Sequence, residues 1–218
     1  LYSRYQNDLP ALRTLMRGHA RSLALIAAFV MAGLVACSQE IVLFLFGGTW
    51  AGSGPMLRIL GTAVFFSLLL PLHSEANKGI GRSRWFLWIE VTKKTILIGA
   101  VMTGGALGIA GLLWALVVVS ASDYVLSALS SVRFLAYRWG EQVADLAPAL
   151  ATCVVAVAVA FGVQWAIALE SVFASLFLKG SMIAVVFAVV LAFAGRRAFP
   201  EVVALVRSVV TRLGAQIG

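Results

Sequence analysis

The chain has 218 residues, of which 61% are hydrophobic and 12% charged, with a mean hydropathy of +0.99 and a net charge of +8. This composition argues against a soluble domain, because too few polar residues remain to cover a folded globule. It also argues against nucleic-acid binding, since the basic residues lie between apolar segments rather than on one face. A bilayer requires internally bonded backbone, and long apolar runs favour helices. We therefore predict an all-α integral membrane protein.

Residues 1–21 have the pattern of a short interfacial helix. Asp8 can cap it and Pro10 suits its first turn, while Leu12 and Met16 lie on an apolar stripe opposite Arg13. We expect this segment to form a cytoplasmic elbow. Because the chain begins at Leu1 without a signal peptide, we also expect it to be a fragment of a longer protein.

Six apolar stretches have the roughly 20 residues that a membrane-spanning helix needs. They cover residues 22–46, 55–78, 84–103, 107–132, 146–168 and 172–194. Glycine-rich, uncharged turns at residues 47–54 and 103–105 separate the first span from the second and the third span from the fourth. The first four predicted spans form a unit at 22–135, and the last two, at 136–195, form a peripheral pair with few polar groups. Small residues in the fifth span would permit close helix contacts: Ala156, Ala158, Ala160 and Gly162.

The basic residues indicate the orientation. Thirteen of the 17 fall in the leading segment, in alternate connections or in the tail: Arg4, Arg13, Arg17, Arg21, Lys78, Arg82, Arg84, Arg133, Arg138, Arg196, Arg197, Arg207 and Arg212. The positive-inside rule places these segments, and both termini, in the cytoplasm. Residues 196–218 form a cytoplasmic amphipathic tail, predicted to lie on the inner leaflet or to bind a partner.

Cys37 and Cys153 fall within apolar runs that place them near opposite membrane faces. We predict two buried free thiols and no disulfide between them.

Ionisable residues inside the spans are the strongest functional signal, since they usually face a bundle interior or an aqueous cavity. Glu90, Lys93 and Lys94 share one face of the third span. Asp123 lies at a matching depth in the fourth span, on a stripe with serines at 120, 127 and 131. These residues predict a hydrated cavity, although an internal pair of Glu90 with Lys94 is the alternative.

The second span adds further candidates. Arg58, His73 and Asn77 lie on roughly one face, and Pro71 is a candidate hinge. The cavity would thus be walled by the second, third and fourth spans. For His73 the simpler alternative is a hydrogen-bonded structural histidine.

Catalytic and cofactor motifs are absent from the sequence. It contains no phosphate-binding loop or nucleophile elbow, and its His and Cys residues are scattered rather than clustered as metal ligands. We expect no cofactor, no metal and no enzymatic activity.

Several segments together resemble a known family. They are Leu1–Arg4 with Asp8–Pro10, Leu45–Trp50, Pro55–Leu60, Gly79–Ser83 and Trp88–Lys94. Over residues 1–135 this pattern resembles the bacterial polysaccharide and O-antigen flippases of the multidrug/oligosaccharidyl-lipid/polysaccharide exporter superfamily. The last two spans resemble it in hydropathy and number only. The resemblance implies the C-terminal part of a fourteen-helix, two-lobe fold.

The resemblance also implies a function. Such proteins move undecaprenyl-pyrophosphate-linked oligosaccharide across the bacterial inner membrane by alternating access, for lipopolysaccharide, capsule or exopolysaccharide synthesis. Lys93 and Lys94 would meet the pyrophosphate. Expected partners are the lipid-linked oligosaccharide, membrane lipid and other polysaccharide-assembly proteins, with no nucleic acid. The alternatives are a cation-coupled antiporter of drugs or organic cations, a membrane-embedded glycan polymerase or transferase, and a purely structural subunit.

Overall fold

The structure is a computed structural model that describes residues 9–79, 83–167 and 171–193. These residues form seven α-helices and one short 3-10 helix, with no strand among them. The helices are α1 (Leu9–Ala36), α2 (Ser38–Phe46), α3 (Gly54–Gly79), α4 (Ser83–Ala106), α5 (Gly108–Leu135), α6 (Trp139–Ala166) and α7 (Val172–Phe193), and the 3-10 helix is Gly48–Ser53. The fold is the predicted all-α membrane type.

Five helical segments are long and apolar enough to cross a membrane. They are Leu12–Ala36, Gly48–Ser74, Gly108–Leu135, Trp139–Ala166 and Val172–Phe193. The third predicted span, α4, is missing from this set because every 18-residue stretch of it contains at least three charged residues. It nevertheless packs antiparallel along α5. Trp85 near its start donates to Ser130, and Gly104 near its end lies against Gly111.

The predicted elbow at residues 1–21 is wrong as a separate element. Residues 1–8 lie outside the described part, and from Leu9 onward the chain is already in α1, which continues to Ala36. Leu12 and Met16 are 1% and 0% exposed and pack against Leu72 and Tyr137. The apolar stripe therefore contacts the protein interior rather than a membrane surface. The predicted tail at 196–218 lies outside the described residues.

Helix ends differ from the predicted ones where local contacts decide them. At Cys37 the backbone leaves helical geometry (φ −104°, ψ 11°), so the first predicted span is divided into α1 and α2. The predicted turn at 103–105 is wrong, because α4 continues to Ala106 and the turn uses the positive φ of Gly108. Gly104 is instead a packing residue, since an added Cβ would meet Ala115 Cβ at 2.6 Å.

Helix α1 occupies the centre of the bundle, between α3 and α6. On one side α3 packs on α5, and α5 on α4; on the other, α6 packs on α7. The predicted division into four core helices and a peripheral pair is therefore wrong for α6, whose Ala149, Ala156 and Ala160 are fully buried. The alanine surface lets α6 approach α1 closely. Ala158 and Gly162 face outward.

The two cysteines are free and buried, as predicted. Both belong to the main apolar core, which α1, α3, α5, α6 and α7 form together.

Candidate functional site

A polar cluster lies where α3, α4 and α5 meet, and we call it the central polar cluster. It consists of His73 on α3, Glu90 and Lys93 on α4, and Asp123, Ser127 and Ser131 on α5. The serine stripe predicted for α5 is largely confirmed, since Ser127 and Ser131 are 1% and 0% exposed. These positions recur at helical spacing, so one side of α5 carries polar groups toward its neighbours.

His73 holds α3 against α5. Its ring is fully buried, and its Nδ1 lies 2.8 Å from Ser131 Oγ in a hydrogen bond. The ring also packs edge-on to Tyr124, with 5.1 Å between ring centroids. The simpler alternative for His73, a hydrogen-bonded histidine, therefore describes its Nδ1.

Lys93 brings the charge of α4 into the cluster. Its side chain is 6% exposed, and its Nζ donates to Glu90 Oε1 at 2.7 Å. The ammonium is close enough to interact electrostatically with Asp123 and His73. Lys93 thus places a buried ammonium, hydrogen-bonded to Glu90 of the same helix, near Asp123 and His73.

Lys94 has a different environment from Lys93, because neighbouring residues on a helix point about 100° apart. It is exposed and forms no hydrogen bond or ion pair within the described residues, although its charge still acts on Asp123. The predicted alternative pair, Glu90 with Lys94, is wrong, because Glu90 binds Lys93.

Three buried polar atoms of the central polar cluster have no hydrogen-bond partner in the described part of the chain. They are His73 Nε2, Asp123 Oδ1 and Ser127 Oγ. A buried polar atom without a partner destabilises a protein by about 1 to 3 kcal/mol. A polar ligand group or water that reached these atoms would therefore be stabilised.

The other predicted site residues are Arg58, Asn77 and Pro71. Arg58 does not join the cluster: it donates to Ser38 Oγ at 3.3 Å and its guanidinium lies 5.4 Å from the centre of the Phe161 ring. It shares a face with His73, but fifteen residues of helix separate the two by about 22 Å. Asn77 is in α3, and its side chain lies outside the described set. Helix α3 continues through Pro71, and its role as a hinge stays a prediction.

A second buried site, which the sequence analysis missed, joins the start of α2 to α7. Lys179 Nζ donates to Glu40 Oε1 at 2.5 Å and to the carbonyl of Ala36 at 3.1 Å. Ser175 Oγ donates to the same Glu40 oxygen at 3.1 Å. The side chains of Lys179 and Glu40 are 4% and 8% exposed. This Glu40–Lys179 pair fixes α7 to the junction of α1 and α2.

A third site, which we call the arginine ladder, fastens α1 to α6. Arg17 donates through Nε and an Nη atom to Asp145 at 2.8 and 3.0 Å, and Arg21 donates to the same carboxylate at 2.8 Å. Arg13 pairs with Glu141 one turn away. Glu141 and Asp145 fall between the predicted spans 107–132 and 146–168, in a stretch expected to be a loop; that expectation is wrong, because both lie in the first two turns of α6.

The connection from α5 to α6 is held beneath the arginine ladder. Ala136 has a positive φ of 52°, and Tyr137 is fully buried with its hydroxyl donating to Asp145 at 3.0 Å. Burial, with a smaller contribution from the Asp145 charge, raises the pKa of Tyr137 well above its ordinary value. Its hydroxyl therefore remains a hydrogen-bond donor.

Sequence signals for the missed sites exist in hindsight. Arg13, Arg17 and Arg21 recur every four residues, as do Glu141 and Asp145, so the two rows have complementary charge and equal spacing. Glu40 and Lys179 are single charges in otherwise apolar runs, and such residues normally pair within a membrane.

No group of His, Cys, Asp and Glu side chains that could hold a metal occurs among the described residues. Comparison of the chain with protein-family models, with curated proteins and with solved structures found no match. The family resemblance therefore rests on the motifs quoted above.

Proposed function

We propose that this chain is the C-terminal part of a flippase that moves undecaprenyl-pyrophosphate-linked oligosaccharide across the bacterial inner membrane by alternating access. The motifs at Leu45–Trp50 and Trp88–Lys94 support the substrate class. The observation that carries the proposal is the central polar cluster, a set of ionisable groups inside helices that are otherwise apolar.

The cluster supports transport better than a structural role. Most buried polar groups in proteins are hydrogen-bonded, and the Glu40–Lys179 pair leaves a single atom, Glu40 Oε2, without a partner among the described residues. In the central polar cluster His73 Nε2, Asp123 Oδ1 and Ser127 Oγ lack partners among the described residues. A site with spare donors and acceptors at membrane depth suits a polar substrate group that binds and leaves.

The two lysines have different roles in this proposal. Lys93 is neutralised by Glu90, so it positions α4 against Asp123 and sets the local charge. Lys94 has no such partner among the described residues and is the group available to a pyrophosphate, which binds ammonium groups through charge-assisted hydrogen bonds. The pyrophosphate would therefore approach along the exposed side of α4.

One observation favours the antiporter alternative. Glu90 and Asp123 together balance the charge of the two lysines, and Asp123 Oδ1 is a buried acceptor without a partner. An organic cation would find a carboxylate there. No long connection able to carry catalytic residues, as a glycan polymerase would need, occurs within 9–79, 83–167 or 171–193.

The test is surface polysaccharide in a strain that lacks its own exporter, complemented with the full-length gene product that includes this chain. Lys94→Ala should reduce surface polysaccharide strongly, while Lys94→Arg retains the positive charge and most of the export. Thr92→Ala, also exposed on α4, serves as the matched control. All variants are compared at equal membrane abundance.

The other outcomes are informative. Full export by the Lys93→Ala, Lys94→Ala double variant would make both lysines structural. No export by the wild type, together with Asp123-dependent resistance to a cationic dye, would replace the flippase proposal with the antiporter.

A further inference from the structure

A narrow apolar groove separates α5 from α6 on the outside of the bundle. Its floor contains Tyr124, Gln142 and Leu146, which are 6%, 2% and 8% exposed, and its rim contains Trp139, Val143 and Leu150. The volume of the groove is about 170 Å³. The groove exists because α5 and α6 both pack on other helices rather than closely on each other.

The length of the groove matches one leaflet of a bilayer. It runs from Trp139, the first residue of α6, to Leu150, and eleven residues of helix extend about 16 Å. This is about half of the roughly 30 Å hydrocarbon core. Tryptophan at the start of a membrane helix typically lies at the headgroup level. The groove therefore extends from the membrane interface to the bilayer centre.

One exposed positive charge lies at the interfacial end of the groove. Arg138 directly precedes Trp139 and is exposed, whereas Arg133 at the end of α5 stacks on the Trp85 ring of α4 at 4.7 Å. This end of the groove is thus complementary to an anionic phosphate.

We propose that the α5–α6 groove is a binding site for one membrane glycerophospholipid, with an acyl chain along the groove and its phosphate near Arg138. The proposal does not rest on the flippase function. A helix with its side chains is about 10 Å across, so 16 Å of helix would need more than about 1,000 Å³. The groove is far too small for a helix, whereas a hydrocarbon chain can lie along it with part of its surface facing the bilayer.

The experiment uses the purified full chain in nanodiscs of phosphatidylethanolamine and phosphatidylglycerol that contain a phospholipid with a photoreactive diazirine in one acyl chain. After irradiation, mass spectrometry maps the labelled residues. We expect labelling of residues 139–150 to exceed that of the exposed face of α7, at Phe177 and Val185, by about tenfold, a ratio equivalent to about 1.4 kcal/mol.

Ala147→Trp should abolish most of this labelling, because Ala147 lines the groove and is exposed, so that the larger side chain fills the groove without displacing the core. Ala158→Trp is the matched control. It places the same side chain on nearly the same face of α6, also exposed, but about 16 Å further along the helix. Labelling in this control should match the wild type.

Two further variants complete the test. Val143→Trp, at a rim position that is 64% exposed, should also reduce labelling and covers the case in which Ala147→Trp does not fold. Arg138→Gln should reduce labelling by a phosphatidylglycerol probe more than by a phosphatidylethanolamine probe. Three results would each overturn the proposal. They are equal labelling of α6 and α7, labelling that neither Ala147→Trp nor Val143→Trp changes, and crosslinking between two copies at Val143.

Discussion

The Glu40–Lys179 pair gives the sharpest test of how this fold is held together. Lys179→Met keeps an unbranched side chain of similar length but removes the ammonium that neutralises Glu40. Removing one partner of a buried ion pair destabilises a protein by about 3 to 5 kcal/mol, because the other charge remains buried and unpaired. For a chain of about 200 residues this corresponds to a melting temperature lower by about 6 to 20 °C.

The double variant Glu40→Gln, Lys179→Met separates the pair from its surroundings. Replacing both charges leaves no buried ion, so most of the lost stability should return, as it often does when a buried pair is replaced as a unit. Glu40→Gln alone should cost less than Lys179→Met, because Lys179 keeps the Ala36 carbonyl at 3.1 Å and the face of Phe161 at 5.5 Å.

The assay is thermal unfolding in detergent, followed by circular dichroism, for the wild type, both single variants and the double variant. Lys94→Met is the matched control, since the same substitution removes an exposed ammonium that has no partner within 9–79, 83–167 or 171–193. A loss below about 2 °C for Lys179→Met, or effects of the two single variants that simply add in the double variant, would refute the argument.

Two further predictions use the same assay. Asp145→Asn should lower stability by about 2 kcal/mol, because Asp145 is 2% exposed and accepts hydrogen bonds from two arginines and Tyr137. Arg13→Gln should change stability by less than about 1 kcal/mol, since Arg13 is 35% exposed. Equal effects of these two variants would contradict the burial argument. Gly104→Ala should destabilise the α4–α5 contact by about 1 to 3 kcal/mol, because the new Cβ would meet Gly111 O at 2.8 Å. Gly105→Ala should be neutral or stabilising, because its new Cβ meets nothing within 4 Å. A Gly104→Ala protein as stable as the Gly105→Ala protein would show that α4 and α5 do not pack closely there.

The helical membrane fold was predictable because hydropathy and helix length depend on local sequence. The exceptions come from long-range contacts. Helix α6 begins at Trp139, well before the predicted residue 146, because Glu141 and Asp145 are neutralised by arginines more than a hundred residues away. A charge whose partner is distant in sequence is assigned to a loop, because the local sequence does not show that the fold will neutralise it.

The candidate site was predictable in part for the same reason. Glu90, Lys93 and Asp123 have matching depths in consecutive helices, and the structure brings them together. Arg58 also shares a face of α3 with His73, but two residues on one face can lie at different depths along the helix, and Arg58 binds Ser38 instead. The direction in which the Lys94 side chain points depends on how α4 is rotated about its own axis against α5. The pattern of apolar residues in this charged helix does not specify that rotation.

The Glu40–Lys179 pair also has a consequence for how the protein is made. Its two residues are 139 positions apart. At about 5 to 20 residues per second, a ribosome needs about 7 to 28 s to synthesise the chain between them. Throughout that interval Glu40 has no Lys179 to bind, so the first helices enter the membrane carrying an uncompensated acid. Assembly of that end of the bundle must therefore wait for the last described helix, and a chain truncated before α7 should be a substrate for membrane proteases.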